Sequence, residues 1–87
     1  MNWKSFLEHL PKKDERILII HEWLGFDFES HDIKRCYTIY ECNFKNIIEN
    51  VVILVNGERI IGESRSIFEK KQYINIDAKE LHWTRLY

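Results

Sequence analysis

Residues 51–62 read VVILVNGERIIG, and the fold turns on how they are placed. Two apolar, β-prone runs flank Asn56-Gly57. That dipeptide is the strongest short-range signal for a two-residue type I′ turn, because both central residues must adopt φ > 0. The expected structure is a hairpin with Val55 opposite Glu58, Ile53 opposite Ile60 and Val51 opposite Gly62. One face then carries Val51, Ile53, Val55 and Ile60, and the other Val52, Leu54, Arg59 and Ile61. Apolar residues on both faces point to a strand pair central to a sheet and covered on two sides.

Working outward, RILIIHEWL at residues 16–24 is a second two-sided strand. Ile17, Ile19, His21 and Trp23 share one face; Leu18, Ile20, Glu22 and Leu24 share the other. Residues 33–44 fit both periods. The alternation of Cys36, Thr38, Tyr40, Cys42 and Phe44, with their β propensity, favours a strand, followed by a connector over 45–50. Gly62 predicts a bulge or sharp bend, with the strand running on to Ile67. A charged turn at Glu69–Lys71, a short strand over 73–77, a tight turn over 77–80 and a last strand over 81–87 complete the series. At the other end Trp3, Phe6, Leu7 and Leu10 fall at i, i+3, i+4 and i+7. That spacing predicts a helix over 2–10, ended by Pro11 and packed on the sheet. The expected fold is mostly β (α+β): an N-terminal helix, then an antiparallel meander closing into a small SH3- or Sm-like barrel, with residues 1–87 as one domain.

The chain is 45% hydrophobic and 31% charged, a globular composition. Its net charge of −1 argues against a domain whose affinity comes from phosphate contacts. No apolar run approaches the roughly 20 residues of a membrane span. Glu8 and Pro11 stand where a secretory signal would have an apolar core, so a cytosolic protein is expected. On one straight strand Cys36 and Cys42 would lie about 20 Å apart, too far for a disulfide. The bias to Ile, Lys, Asn and Glu is common in AT-rich bacterial and phage genomes.

Val51, Ile53, Asn56-Gly57, Ile60, Gly62, Ile67-Phe68 and the run Tyr73–Ile76 resemble the first motif of Sm-like proteins and the start of the second. The resemblance covers residues 51–77 and implies a small-barrel architecture. Sm-like proteins bind RNA, usually as rings. Those properties are not carried over: Glu69 stands where the family commonly has Asp, and no Gly follows Gly62.

Candidate chemistry follows from residue type and spacing. His21, Glu22, His31, Asp32, Cys36, Cys42 and His82 show no dense ligand spacing, so neither metal nor cofactor is expected. Cys36 with His31 or His21 is the one nucleophile–base pairing to weigh; a Cys in an apolar strand more often simply packs, and no enzyme is expected. Lys34, Arg35, Arg59, Arg65, Lys70 and Lys71, with Tyr73 to stack a base, form the candidate set for RNA or single-stranded nucleic acid. Phe26, Asp27, Phe28, Glu29 and Asp32 in an acidic loop, with Trp83, Arg85 and Tyr87 at the end of the chain, form the candidate set for protein binding. Absence of catalytic motifs favours the protein-binding reading: a module that occupies a partner surface, of the inhibitor or immunity type that phages and mobile elements carry. Nucleic acid ranks second as partner, a homodimer stays open, and no membrane is expected.

Overall fold

The computed structural model describes residues 3–75 and 81–86. Its strands are β1 (Lys4–Ser5), β2 (Arg16–Asp27), β3 (Asp32–Ile48), β4 (Val51–Ile61), β5 (Ser64–Phe68), β6 (Gln72–Asn75) and β7 (Leu81–Arg85). They form one antiparallel sheet in the order β1-β7-β2-β3-β4-β5, with β6 beside β5 along the same edge of β4. The two ends of that order, β1 and β5, are not paired with each other among the described residues. The expected barrel is therefore an open, coiled sheet. The turn expected over 77–80, and the last part of the strand expected over 73–77, lie outside the described residues.

The expected N-terminal helix is absent. Ser5 takes its place as a turn former: its Oγ accepts from the Leu7 N–H at 3.2 Å, and its carbonyl accepts from Glu8 at 3.2 Å and His9 at 3.0 Å. One turn closes and goes no further, because a nine-residue segment is too short to hold a helix by itself and the Ser5 hydroxyl competes for the backbone. Of the helical quartet only Phe6 is buried, packed on Phe44 and Trp83 at centroid distances of 6.3 and 6.0 Å. Leu7 and Leu10 face solvent.

The hairpin expected across Asn56-Gly57 is also absent. β4 runs straight through both residues and pairs with β3, from Ile48↔Val51 to Thr38↔Ile61. The tight turns lie on either side, at Glu49-Asn50 and Gly62-Glu63, where Glu49 and Gly62 hold φ of 55° and 58°. Asn56 does take the left-handed region, at φ 51°, but as a bulge: the ladder shifts register between Glu41 and Asn43. Gly57 is required for a different reason than turn geometry. A Cβ there would stand 2.2 Å from the Glu41 carbonyl oxygen and 2.5 Å from the Cys42 Cβ. Arg16 secures the bulge by donating to the Asn56 carbonyl and, at 3.0 Å, to Asn43 Oδ1. A second shift, at Lys45, lets β3 continue to Ile48 where a connector was expected.

The core lies on one face of the coiled sheet. Ile17, Ile19, Cys42, Val52, Leu54, Leu81 and Trp83 are fully or almost fully buried there, with Phe6, Phe44, Phe68 and Ile74 around them. Burial pushes the Cys42 thiol up to about 12, so it packs as a protonated, inert group. Cys36 and Cys42 are both free thiols. No helix among the described residues is long and apolar enough to cross a membrane.

Candidate functional site

β2 and β3 are longer than the sheet that receives them. β7 covers β2 only from Ile17 to His21, and β4 reaches β3 only from Thr38 onward. Beyond those points, residues 22–37 form a two-stranded arm whose strands pair with each other, Glu22↔Tyr37 through Asp27↔Asp32, and with no other strand among the described residues. The molecule is correspondingly long, 42 × 27 × 26 Å.

The arm has two unlike faces. The face continuous with the core carries Trp23, Gly25, Cys36 and Lys34. Trp23 donates from Nε1 to Thr38 Oγ1 at 3.0 Å. Its ring lies over Gly25, where a Cβ would come within 3.1 Å of Trp23 Cζ3 and 2.9 Å of Cys36 Sγ. The opposite face carries an apolar stripe. Leu24 is 68% exposed, Phe26 52%, and Ile33, directly across from Phe26, 69%. At the tip Phe28 is 81% exposed and meets Phe26 edge to face at 5.0 Å, with the His31 ring 6.4 Å from Phe26.

The tip is held by charge. The Lys34 ammonium pairs with the Asp27 carboxylate, whose Oδ1 also accepts from the Glu29 N–H at 3.0 Å. The hydrogen bond from Lys34 and that backbone bond hold the Asp27 carboxyl at about 2, and the same pairing raises Lys34. His31, at φ 57°, completes the turn. Arg35 pairs with Glu22 at 3.2 Å at the arm's root. Glu29 and Asp32 are exposed, and neither joins an ion pair among the described residues. The tip therefore presents two carboxylates outside any ion pair among the described residues: Glu29, next in the chain to Phe28, and Asp32, opposite Asp27 at the start of β3.

The other residues singled out in the sequence fall elsewhere. Trp83 is a correction: it is fully buried, donates from Nε1 to the His9 carbonyl at 3.0 Å and belongs to the core, so its ring cannot anchor a partner. Arg85 is bound to Glu15 and lies 5.8 Å from the Trp83 ring centroid. Tyr87 lies outside the described residues. The basic set does not converge either. Lys34 and Arg35 are paired on the arm, Arg65 is paired with Glu58 at 3.2 Å, Arg59 lies between Tyr40 and Ser66, and Lys70, Lys71 and Tyr73 lie at and just after the break between β5 and β6. Cys36 Sγ donates only to the Lys34 carbonyl, at 3.8 Å, and neither His21 nor His31 bonds to it. Among the described residues no three His, Cys, Asp or Glu side chains cluster as metal ligands would.

Sequence reading missed Leu24, Ile33 and Tyr37 as parts of the exposed stripe. Their alternation was visible; what hid them was the assumption that a two-sided strand is covered on both sides along its whole length. No family model, no curated protein and no solved structure matches the chain.

Proposed function

We propose that this chain is a non-enzymatic protein-binding module that acts by inserting the tip of its β2–β3 arm into a partner. The observation that carries the reading is the exposed Phe26–Phe28 pair at the end of an arm with no sheet neighbour. Covering a phenyl ring recovers about 1.5–3 kcal/mol, and aromatic anchors in pockets dominate interface energetics. Glu29 and Asp32 add the partner's chemistry: an apolar pocket rimmed by Arg or Lys, approached faster because the charges are complementary. A cytosolic inhibitor or immunity-type protein of a phage or mobile element would use such a device to occupy a host or rival factor.

The test is affinity purification from the native host with the wild-type chain and with Phe28→Ala/Glu29→Lys. The wild type is expected to retain a stoichiometric protein that the double variant loses by tenfold or more, near 1.4 kcal/mol. A partner held equally by both would remove the arm tip from the reading.

A further inference from the structure

At the end of β3 remote from the arm, three lysines from three separate segments line one cleft of about 410 Å³. Lys13 comes from the loop before β2, Lys45 from the β3 bulge, and Lys71 from the break between β5 and β6. The loop is fixed rather than loose: the Asp14 N–H donates to the Phe44 carbonyl at 2.7 Å, and Phe44 returns a bond to the Glu15 carbonyl at 2.9 Å. Lys45 has a distant counter-ion in Asp14 at 3.8 Å. Lys13 and Lys71 have none among the described residues. Like charges gathered round a concave surface repel one another, and an anion seated among them relieves that repulsion.

The cleft has more than charge. Ile48 and Ile53 supply apolar walls, and Asn46 lines it as well. Asn46 Oδ1 is already taken by the Ile47 N–H at 2.8 Å, which leaves the side-chain NH₂ as a donor. Tyr73 stands directly across from Ile53 on β6, two residues after Lys71, and is 64% exposed. An exposed aromatic paired with a wall residue of a lysine-lined cleft offers the combination that single-strand binders use, with phosphate on the ammonium groups and a base on the aromatic face. The volume falls within the few hundred Å³ of ordinary small-molecule sites.

We propose that this cleft binds a nucleoside phosphate, free or as one unit of a single strand. Lys13, Lys45 and Lys71 hold the phosphate, and the exposed Tyr73, across from the buried Ile53 at the cleft wall, supports the base. The whole-chain charge of −1 does not forbid it, because the lysines act locally and the acidic excess lies partly at the opposite end, on the arm.

Fluorescence polarisation of the full chain with a labelled oligouridine of about 12 nucleotides gives the first readout. With three phosphate-directed lysines, affinity is expected to fall about twentyfold between roughly 50 and 200 mM salt. Lys13→Gln/Lys45→Gln/Lys71→Gln is expected to weaken binding at least tenfold, and Tyr73→Ala about tenfold, whereas Lys34→Gln/Arg35→Gln on the arm leaves it unchanged. Competition by ATP assigns the source: displacement of the strand means a free nucleotide is accepted, and failure to displace it means a strand is required. An amide-detected NMR titration of the wild type needs no variant, and places the ligand at Lys13, Asn46, Ile53 and Tyr73. Absence of binding by both oligouridine and ATP at low salt overturns the proposal. So do retention of affinity in the triple lysine variant, shifts centred on the arm, and displacement by inorganic phosphate as effective as by ATP.

Discussion

The two halves of β2 and β3 are the same two strands in two environments. From Ile17 to His21, β2 lies between β3 and β7, and Ile17 and Ile19 are fully buried in one core with Trp83 and Leu81. From Glu22 to Asp27 it has β3 alone, and Leu24 and Phe26 face solvent. A two-stranded ribbon is marginal in water without a third strand or a packed face. This one is held by substitutes: the Trp23 indole laid over Gly25, the Glu22–Arg35 pair and the Asp27–Lys34 pair. Those devices all act on register and turn, and none of them covers the apolar stripe. In the body apolar side chains hold the fold together. On the arm they contribute little to it, which is why the stripe is read as a surface for another molecule.

The sharpest way to break that contrast is to remove one aromatic from each half. Trp83→Ala is expected to cost about 3–5 kcal/mol, or to unfold the chain outright, since it leaves a cavity at the centre of the core and orphans the His9 carbonyl. Phe28→Ala is expected to change stability by less than about 0.5 kcal/mol. Urea denaturation followed by circular dichroism compares them. Losses of similar size would mean that the tip is part of the core. The next largest effect belongs to the β3–β4 ladder. Gly57→Ala is expected to cost about 1–3 kcal/mol or more, because the new methyl meets backbone of Glu41 and Cys42 and not a yielding side-chain end. A neutral outcome in the same urea titration would show that the Asn56 bulge relaxes in solution.

Gly57 also marks where sequence reading succeeded and where it stopped. The strand character of 16–24, 33–44 and 51–61 was legible, because β-branched and aromatic residues alternate there. Asn56-Gly57 was read as a hairpin turn with both residues at positive φ; the structure has a bulge there, with only Asn56 in the left-handed region. Asn at positive φ before Gly serves a hairpin turn or a bulge equally well, and only the length of the partner strand decides between them. β3 runs on to Ile48, so it occupies the edge of β4 that a hairpin at Asn56-Gly57 would have filled. The helix at the N-terminus failed on a shorter range: Ser5 offers its own hydroxyl and carbonyl to the next residues, and one turn satisfies both. Of the candidate site, the exposure of Phe26 and Phe28 was legible, because an aromatic–acidic alternation suits no core; the loop expected from Gly25 to Asp32 was not, since β2 runs on to Asp27 and β3 starts at Asp32, leaving only 28–31 as the turn. The burial of Trp83 was not legible either, since it depends on β7 crossing the chain to lie against β2, a contact with no local signature.

The smallest effect tests what holds the arm's tip. Asp27 is depressed from its usual 3.8 to about 2 by the Lys34 hydrogen bond and the Glu29 N–H. The folded value is the lower one, so the folded tip binds its proton more weakly than the open chain does. The ionised carboxylate therefore favours the closed turn at every pH above about 3.8, and that support is lost as pH falls through about 2. The pair is exposed, so little of the shift becomes global stability. The readout is consequently local: a carbon-detected NMR titration of the Asp27 side chain. Its midpoint is expected near 2 in the wild type and to move up toward 3.8 in Lys34→Ala, with the Glu29 amide losing protection from exchange in parallel. A wild-type midpoint already at 3.8 would mean that Lys34 is not on Asp27 in solution. The Phe26–Phe28 pair would then sit on a tip that samples many turns, and any partner would pay to order it before binding.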